Sequence, residues 1–335
     1  MLSGFALVLV AGFFQGTFVL PMTLARKWRW EQIWITFSVL GMLAFNWTLG
    51  LLTIPGLMPV FASVPSWDIT VLVLFGVGWG TGAVLFGLSM ERLGMSLGYP
   101  IIMGLIACLG ALIPLAVFFP GTLLAPKGLV LLAGTGVALL GIALCSIGGA
   151  RRQPAAAATP GRRRADFAAA LAMALLAGVL SCFPNLGMAF GGPVVRAATA
   201  QGASESAAAN AVWVLIFTAG GLVNCAYCAG LILARKSARE YFGPETRRNL
   251  GLAALMAALW IGSFYLYGAA SQRLGPWGLV AGWPLFISLS IGAGILWGLW
   301  RGEWDQAPAR ARRPRNWGLA ALFVAVLMIA LSNLV

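Results

Sequence analysis

Four carboxamide side chains lie inside long runs of apolar residues, where a polar group is unusual: Gln15, Asn46, Asn185 and Asn224. An amide donates and accepts hydrogen bonds, so it can bind the hydroxyl groups of a neutral polar solute. An amide that faces lipid is costly, so each should face other protein or a cavity. One alternative stays open for each amide, namely a hydrogen bond between helices that only holds them together.

Three aromatic residues complement these amides: Trp79, Trp260 and Tyr265. An aromatic ring can pack against the C–H face of a sugar, although plain packing between helices is the alternative for each. No Asp, Glu, Lys or Arg stands at the centre of any apolar run, and an ionic ligand would need a countercharge there. The inventory therefore favours a neutral polar ligand such as a sugar.

The reactive residue types argue against several other functions. The chain has no histidine and nine acidic residues, and the acids lie in loops or near the ends of apolar runs. No embedded catalytic constellation results, so no enzyme, cofactor or metal site is predicted. Cys225 and Cys228 lie in an apolar run and are predicted to be packing residues. The net charge of +13 comes from short basic clusters, without the basic face that nucleic acid requires.

The elements that position these residues are membrane-spanning helices. Of the 335 residues, 60% are hydrophobic and 9% are charged, whereas a soluble domain carries about 25% charged residues. A helix needs about 20 apolar residues to cross the hydrocarbon core. The sequence therefore predicts an all-α polytopic membrane protein with ten spans. The predicted ranges, spans 1 to 10, are 2–22, 31–54, 70–91, 95–118, 127–148, 167–190, 207–234, 249–271, 276–299 and 317–335.

The basic residues predict how the chain is oriented. When the loops are assigned alternately to the two sides, all but three of the 22 Lys and Arg residues fall on one side. The exceptions are Lys127, Arg196 and Arg273. Cytoplasmic loops carry the excess of basic residues, so both termini are predicted on the non-cytoplasmic side. Residues 149–166 are then a basic cytoplasmic linker.

An internal repeat divides the chain at that linker. Residues 1–148 and 167–335 each hold five spans, and Arg92-Leu93-Gly94 after span 3 matches Arg273-Leu274-Gly275 after span 8. The same shift of 181 residues pairs Trp79 with Trp260. An odd number of spans per repeat inverts one half in the bilayer, as in many secondary transporters. Two inverted five-helix repeats that alternate access between the two sides are therefore predicted.

Prolines and glycines suggest where helices bend or approach each other. Pro100 in span 4, beside Gly98, and Pro284 in span 9 fall early in their spans, and Pro184 lies within span 6. Proline removes a backbone donor and can kink a helix, so these four residues are predicted hinges. The segment GTGVALLG in span 5 allows close helix approach. Spans 5 and 10 are therefore expected to form scaffold or a homodimer contact.

Four segments resemble a known family: RKWRWE (26–31), FGLSMERLGMSLG (86–98), GGLVN (220–224) and GWPLFISLSIGAGILWGLWRGEW (282–304). They are similar to the L-rhamnose–proton symporters of the drug/metabolite transporter superfamily. The resemblance implies a ten-helix inverted-repeat permease of the bacterial inner membrane. Such a permease carries a neutral deoxyhexose, L-rhamnose or a relative, inward with a proton. The alternative is a facilitator or exporter of another small metabolite or drug.

Glu31 is the first candidate for proton coupling, because it follows the RKWRW turn at a position that matches the family. A symporter needs a group that takes up and releases a proton, and the chain offers carboxylates but no histidine. The alternative for Glu31 is a carboxylate that only stabilises the start of a helix through the helix dipole. Glu205, Glu91 and Asp68 are the next candidates.

Overall fold

The computed structural model describes residues 2–93, 95–152 and 164–332. Within these residues it is built from helices and turns, without strands. Ten stretches are helical and apolar enough to cross a membrane, which confirms the predicted class and span count. They are Leu2–Leu24, Trp30–Thr53, Ser66–Met90, Ile101–Phe118, Pro126–Arg152, Asp166–Phe190, Glu205–Ala234, Thr246–Arg273, Gly278–Trp300 and Ala309–Leu331.

Several spans contain more than one helical segment. Span 2 consists of α-helix Trp30–Phe37, π-helix Ser38–Phe45 and α-helix Asn46–Thr53. Span 6 consists of helices Arg164–Ser181 and Phe183–Phe190, and span 1 ends in the 3-10 turn Leu20–Leu24. Span 7 consists of helices Glu205–Ala208 and Asn210–Ala234. The remaining short helices and turns among the described residues are Leu57–Ser63, Pro120–Thr122, Gly192–Ala200, Ser237–Tyr241 and Gly275–Trp277.

The chain forms two compact units, each assembled from both halves of the sequence. The first unit comprises Met1–Thr81 and Phe183–Gly275, and the second comprises Gly82–Cys182 and Pro276–Val335. The first therefore holds spans 1, 2, 7 and 8, and the second holds spans 4, 5, 9 and 10. Spans 2 and 7, 3 and 8, 4 and 9, and 5 and 10 would be equivalent in the predicted repeat.

In the first unit, span 2 packs against spans 7 and 8, and span 1 packs along span 8. Small residues bring these helices close together. A Cβ atom built on Gly41 would lie 3.2 Å from the Cα of Ala257, and one on Gly221 would lie 2.8 Å from the Cβ of Met42. Because polar groups of neighbouring spans can then reach each other, this packing determines the geometry of the candidate site.

In the second unit, spans 5 and 10 pack along their length through glycines spaced seven residues apart. Cβ atoms built on Gly134 and Gly141 would lie 2.8 Å and 2.9 Å from side-chain atoms of Ile329 and Leu322. One on Gly148 would lie 2.9 Å from the Cβ of Arg315. The small-residue face of span 5 therefore packs within the chain, and a homodimer through these spans would need their other faces.

The predicted linker extended too far at both ends. Span 5 remains helical to Arg152 and helix Arg164–Ser181 begins at Arg164, while residues 153–163 of the linker lie outside the described residues. Span 10 likewise begins at Ala309 rather than residue 317. Long arginine side chains can extend from a helix end toward water, so a helix can include basic residues at its end. In the sequence such residues resemble a loop.

Candidate functional site

All seven predicted ligand-binding residues belong to the first unit. They come from six different spans, so their proximity depends on the packing of the unit and not on sequence spacing. The residues are Gln15, Asn46, Trp79, Asn185, Asn224, Trp260 and Tyr265. The structure divides them into side chains that are half-buried and side chains that are fully enclosed by protein.

Trp79 and Trp260 stack on each other. Their ring centroids are 5.6 Å apart and their planes are inclined by 21°. Phe217 packs against both rings, with centroids 5.2 Å from Trp79 and 4.7 Å from Trp260. Trp260 is 3% exposed, whereas Trp79 is half-buried. Of the pair, Trp79 is therefore the more exposed ring, and its role as a ligand-binding residue stays a prediction.

Glycines bring span 3 against span 7 and thereby position Trp79. Cβ atoms built on Gly76 and Gly80 would lie 2.8 Å from the Cβ of Ala219 and the Cα of Gly220. One built on Gly220 would lie 2.8 Å from Cζ3 of Trp79. Small residues four positions apart permit such close backbone approach in membranes, and here they let the Trp79 ring lie directly on the backbone of span 7.

The Asn46 amide is buried and its hydrogen-bonding capacity is used by protein. Its Nδ2 donates to the carbonyl of Met42 at 3.1 Å and lies 3.3 Å from that of Trp213. Its Oδ1 accepts a hydrogen bond from the Tyr265 hydroxyl at 3.0 Å. The amide thus joins span 2 to spans 7 and 8, next to the π-helix that precedes it.

Asn185 and Asn224 are also enclosed, at 0% and 1% exposure. Asn185 Oδ1 accepts from the Tyr267 hydroxyl at 2.6 Å, which joins span 6 to span 8. Asn224 donates to the carbonyl of Gly220 at 2.9 Å and accepts from Trp34 Nε1 at 3.0 Å. These contacts match the alternative stated for the amides, hydrogen bonds between helices, while a direct role in ligand binding stays a prediction.

Gln15 and Tyr265 are half-buried polar residues. Oε1 of Gln15 accepts from the Ser263 hydroxyl at 2.7 Å, and this hydroxyl also lies 2.6 Å from the Trp260 carbonyl. The Tyr265 hydroxyl bonds to the backbone carbonyl of Asn46 at 2.9 Å. Gln15 is therefore connected to the aromatic stack through one intervening serine.

Trp34 was missed as a site residue. Its indole N–H donates to Asn224, and its ring stacks on Trp30 at 5.4 Å with an interplanar angle of 19°. The four-residue spacing of these tryptophans at the start of span 2 was the available signal, because residues four apart share one face of a helix. Trp47 makes a similar bond, from Nε1 to the Thr218 hydroxyl at 2.9 Å.

Glu31 is fully buried, at 0% exposure, although it is the second residue of helix Trp30–Phe37. Its Oε2 accepts a hydrogen bond from Nη1 of Arg235 at 3.0 Å, and the Arg235 side chain is 51% exposed. Its Oε1 is buried without a hydrogen-bond partner in the described part of the chain. A carboxylate that only stabilises the start of a helix does not need to be buried. The complete burial of Glu31 is therefore not explained by that alternative alone.

A polar cluster surrounds this ion pair. Gln32 is buried and donates to Glu240 at 3.1 Å and to the Ser237 carbonyl at 3.0 Å. Arg29 pairs with Glu240 at 2.8 Å. Tyr241 bonds to the carbonyl of Gln32 at 3.1 Å, and burial raises the pKa of the Tyr241 phenol. The turn before span 2 is thereby tied to the loop after span 7.

The four predicted hinges differ in their surroundings. Span 6 is interrupted at Cys182, two residues before Pro184, where the missing N–H of proline costs a helical hydrogen bond. The helix Gly278–Trp300 instead continues through Pro284, and Met95–Phe118 continues through Gly98 and residue 100. Nothing is described of the Pro100 side chain, and hinge motion at these positions stays a prediction.

Comparison with known proteins gives a match along the whole chain. A family described as L-rhamnose-proton symport protein (RhaT) matches residues 2–335. An L-rhamnose-proton symporter of Yersinia pestis (strain Pestoides F) is 28% identical over 324 residues, covering 94% of this chain and 91% of the relative. A protein of the same name from Cronobacter sakazakii (strain ATCC BAA-894) is 28% identical, with 94% and 93% covered.

Proposed function

Because the chain belongs to the L-rhamnose-proton symport protein family, we propose that it takes up L-rhamnose or a related deoxyhexose together with protons. The family is one of secondary transporters and not of enzymes. The family match over residues 2–335 carries the proposal, and the ten apolar spans are consistent with it. The site we propose lies in the first unit of a protein of the bacterial inner membrane with both termini on the non-cytoplasmic side.

The half-buried groups are proposed to contact the sugar. Trp79 presents its ring to the C–H face of the deoxyhexose, and Gln15 and Tyr265 bond to its hydroxyl groups. Trp260 lies behind Trp79 and fixes its ring. This division is supported by exposure, since Asn46, Asn185 and Asn224 are fully buried, whereas Gln15, Trp79 and Tyr265 are half-buried. Those amides, as proposed here, hold the spans in the geometry that the sugar requires.

Glu31 is proposed to carry the coupled proton. The carboxylate is enclosed by protein and bonds to the half-exposed Arg235 at 3.0 Å, while its Oε1 has no hydrogen-bond partner in the described part of the chain. A proton delivered to this carboxylate would weaken the ion pair that ties the start of span 2 to the loop after span 7. Proton binding would thereby be coupled to the position of that loop.

Alternating access is proposed to follow from the inverted repeat. Two nearly equivalent packings of such a repeat give an outward-open and an inward-open state. The division of the chain supports this proposal, because the first unit holds spans 2 and 7 and the second holds spans 4 and 9 and spans 5 and 10. The interruption of span 6 before Pro184 supplies one position at which a helix could bend.

Ligand-induced stabilisation of the purified protein tests the substrate class. A ligand that binds the folded state raises its melting temperature by mass action. L-rhamnose should raise it, with smaller shifts from other deoxyhexoses and none from amino acids or cationic drugs. Stabilisation by cationic drugs alone would refute the proposal and favour a drug exporter. A Trp79→Ala variant should lose most of the shift produced by L-rhamnose.

A further inference from the structure

The indole of Trp304 is close to two guanidinium groups in the second unit. Cζ of Arg315 is 4.6 Å and Cζ of Arg152 is 5.0 Å from the ring centroid. Trp304 belongs to the turn between spans 9 and 10 and is buried with Ala307 and Ala311. An aromatic ring attracts a cation over its face, but two cations on one ring repel each other. The arrangement therefore favours an anion nearby.

Among the residues that the structure describes, one of these two arginines has a carboxylate partner and the other does not. Arg152 pairs with Glu303 at 2.7 Å. Arg315 is 8% exposed, and its Nε and Nη2 both donate to the neutral Oδ1 of Asn316, at 3.0 Å and 2.6 Å. No carboxylate lies within 4.0 Å of Arg315 among the described residues. Burying a guanidinium without an anion is energetically unfavourable, because the charge loses its hydration without gaining a countercharge.

The surrounding groups add more positive than negative charge. Span 10 begins with Arg310, Arg312 and Arg313, while the turn before it holds the two carboxylates of Glu303 and Asp305. Arg312 is held next to the turn by hydrogen bonds to the carbonyls of Asp305 and Ala307, both at 2.7 Å. Span 10 has no acidic residue in its first turn and no side-chain cap at Pro308, so its N-terminal end also favours an anion. Residues 153–163, which follow Arg152, contain no Asp or Glu. The missing negative charge is therefore best supplied from outside the chain.

Two exposed tryptophans show the depth of this cluster in a membrane. Trp300 is 77% and Trp317 is 71% exposed, and tryptophan is enriched at the level of the lipid headgroups. The charge asymmetry predicts this end of the protein on the cytoplasmic side, where anionic lipids attract basic clusters. We propose that Arg152, Arg312 and Arg315, with the start of span 10, bind the phosphate of an anionic phospholipid.

Lipid-induced stabilisation of the detergent-purified protein tests this site. Phosphatidylglycerol should raise the melting temperature, whereas phosphatidylcholine and inorganic phosphate should leave it unchanged. Arg315→Gln should lose at least half of the shift, measured against its own lipid-free value. Arg312→Gln should lose a similar share, and because Arg312 is exposed this variant tests the site even if Arg315→Gln fails to fold. Arg239→Gln, an exposed arginine of the first unit, is the matched control and should keep the full shift.

Native mass spectrometry of the same proteins gives a second readout. Retained phosphatidylglycerol should bind Arg312→Gln about tenfold more weakly than the wild-type protein, as expected for loss of a charge-assisted contact to phosphate. Equal shifts with phosphatidylcholine, or full shifts in both the Arg312 and Arg315 variants, would overturn the proposal. A shift produced by inorganic phosphate and not by phosphatidylglycerol would also overturn it, since the ligand would then be a soluble anion.

Discussion

Gly220 allows the proposed sugar-stacking ring to lie on the backbone of span 7, so replacing it should move that ring. In Gly220→Ala, the new methyl would lie closest to Cε3 of Trp79, followed by Cζ3 of the same ring at 2.8 Å and the carbonyl oxygen of Gly76 at 2.9 Å. Ordinary contact begins at 3.4 Å, so these atoms must move by at least about half an ångström, and overpacking of this kind costs about 1–3 kcal/mol.

The consequence for the sugar follows from the displacement of the ring. A gap of about half an ångström already removes roughly a quarter of the dispersion energy of a contact. The affinity for L-rhamnose should therefore fall about two- to tenfold, as expected if up to about 1.4 kcal/mol of stacking is lost. Thermal unfolding and a titration followed by tryptophan fluorescence would measure both effects on the same preparation.

Gly230→Ala in the same span is the matched control, because a Cβ atom there meets nothing within 4 Å. It should leave both the melting temperature and the affinity close to the wild-type values. If Gly220→Ala lowers the melting temperature but binds L-rhamnose normally, Trp79 does not contact the sugar. If neither quantity changes, spans 3 and 7 do not approach as closely as described.

Three further variants test the contacts that position the site. Asn46→Leu removes the side-chain acceptor of the Tyr265 hydroxyl, which keeps the Asn46 backbone carbonyl, and removes the amide that bonds to the Met42 carbonyl. It should destabilise the protein by about 2 kcal/mol, while the L-rhamnose affinity of the folded fraction changes less than in Gly220→Ala. A selective loss of affinity would make Asn46 a ligand. Arg235→Gln leaves Glu31 buried without its countercharge and should lower the melting temperature clearly more than Arg239→Gln does. Equal melting temperatures of the two variants would show that the ion pair does not contribute to stability. Gly141→Leu should prevent the close packing of spans 5 and 10 and lower the yield of folded protein. Gly136→Leu is the control and should leave the yield unchanged, because a Cβ atom at Gly136 meets nothing within 4 Å. Equal yields of the two variants would contradict this packing.

The spans could be predicted from the sequence because a helix that crosses a bilayer needs a long apolar run, and such a run is recognisable even when it contains a few polar residues. The ends of the spans were harder to predict. Span 10 begins among arginines at Ala309, where the charge pattern alone resembles a loop. The π-helix Ser38–Phe45 could not be predicted from a residue pattern, and it packs against spans 7 and 8, which become its neighbours only in the folded chain.

The candidate site could be predicted as a set of residue types but not as a geometry. Composition identified the amides and aromatic rings, yet it could not show that Asn46 is saturated by Tyr265 and Met42. Both partners become neighbours only through folding. Likewise, Glu31 follows a basic turn in the sequence, and its complete burial depends on the loop after span 7 that brings Arg235 to it.

Accumulation of labelled L-rhamnose in proteoliposomes, with and without an imposed pH gradient, tests the central proposal most directly. The wild-type protein should concentrate the sugar only when the gradient drives protons in the same direction. Glu31→Gln should equilibrate the sugar without concentrating it, because a glutamine cannot carry the proton. An uptake rate indifferent to the gradient would contradict proton coupling. A Glu31→Gln variant that still concentrates the sugar would show that another residue carries the proton.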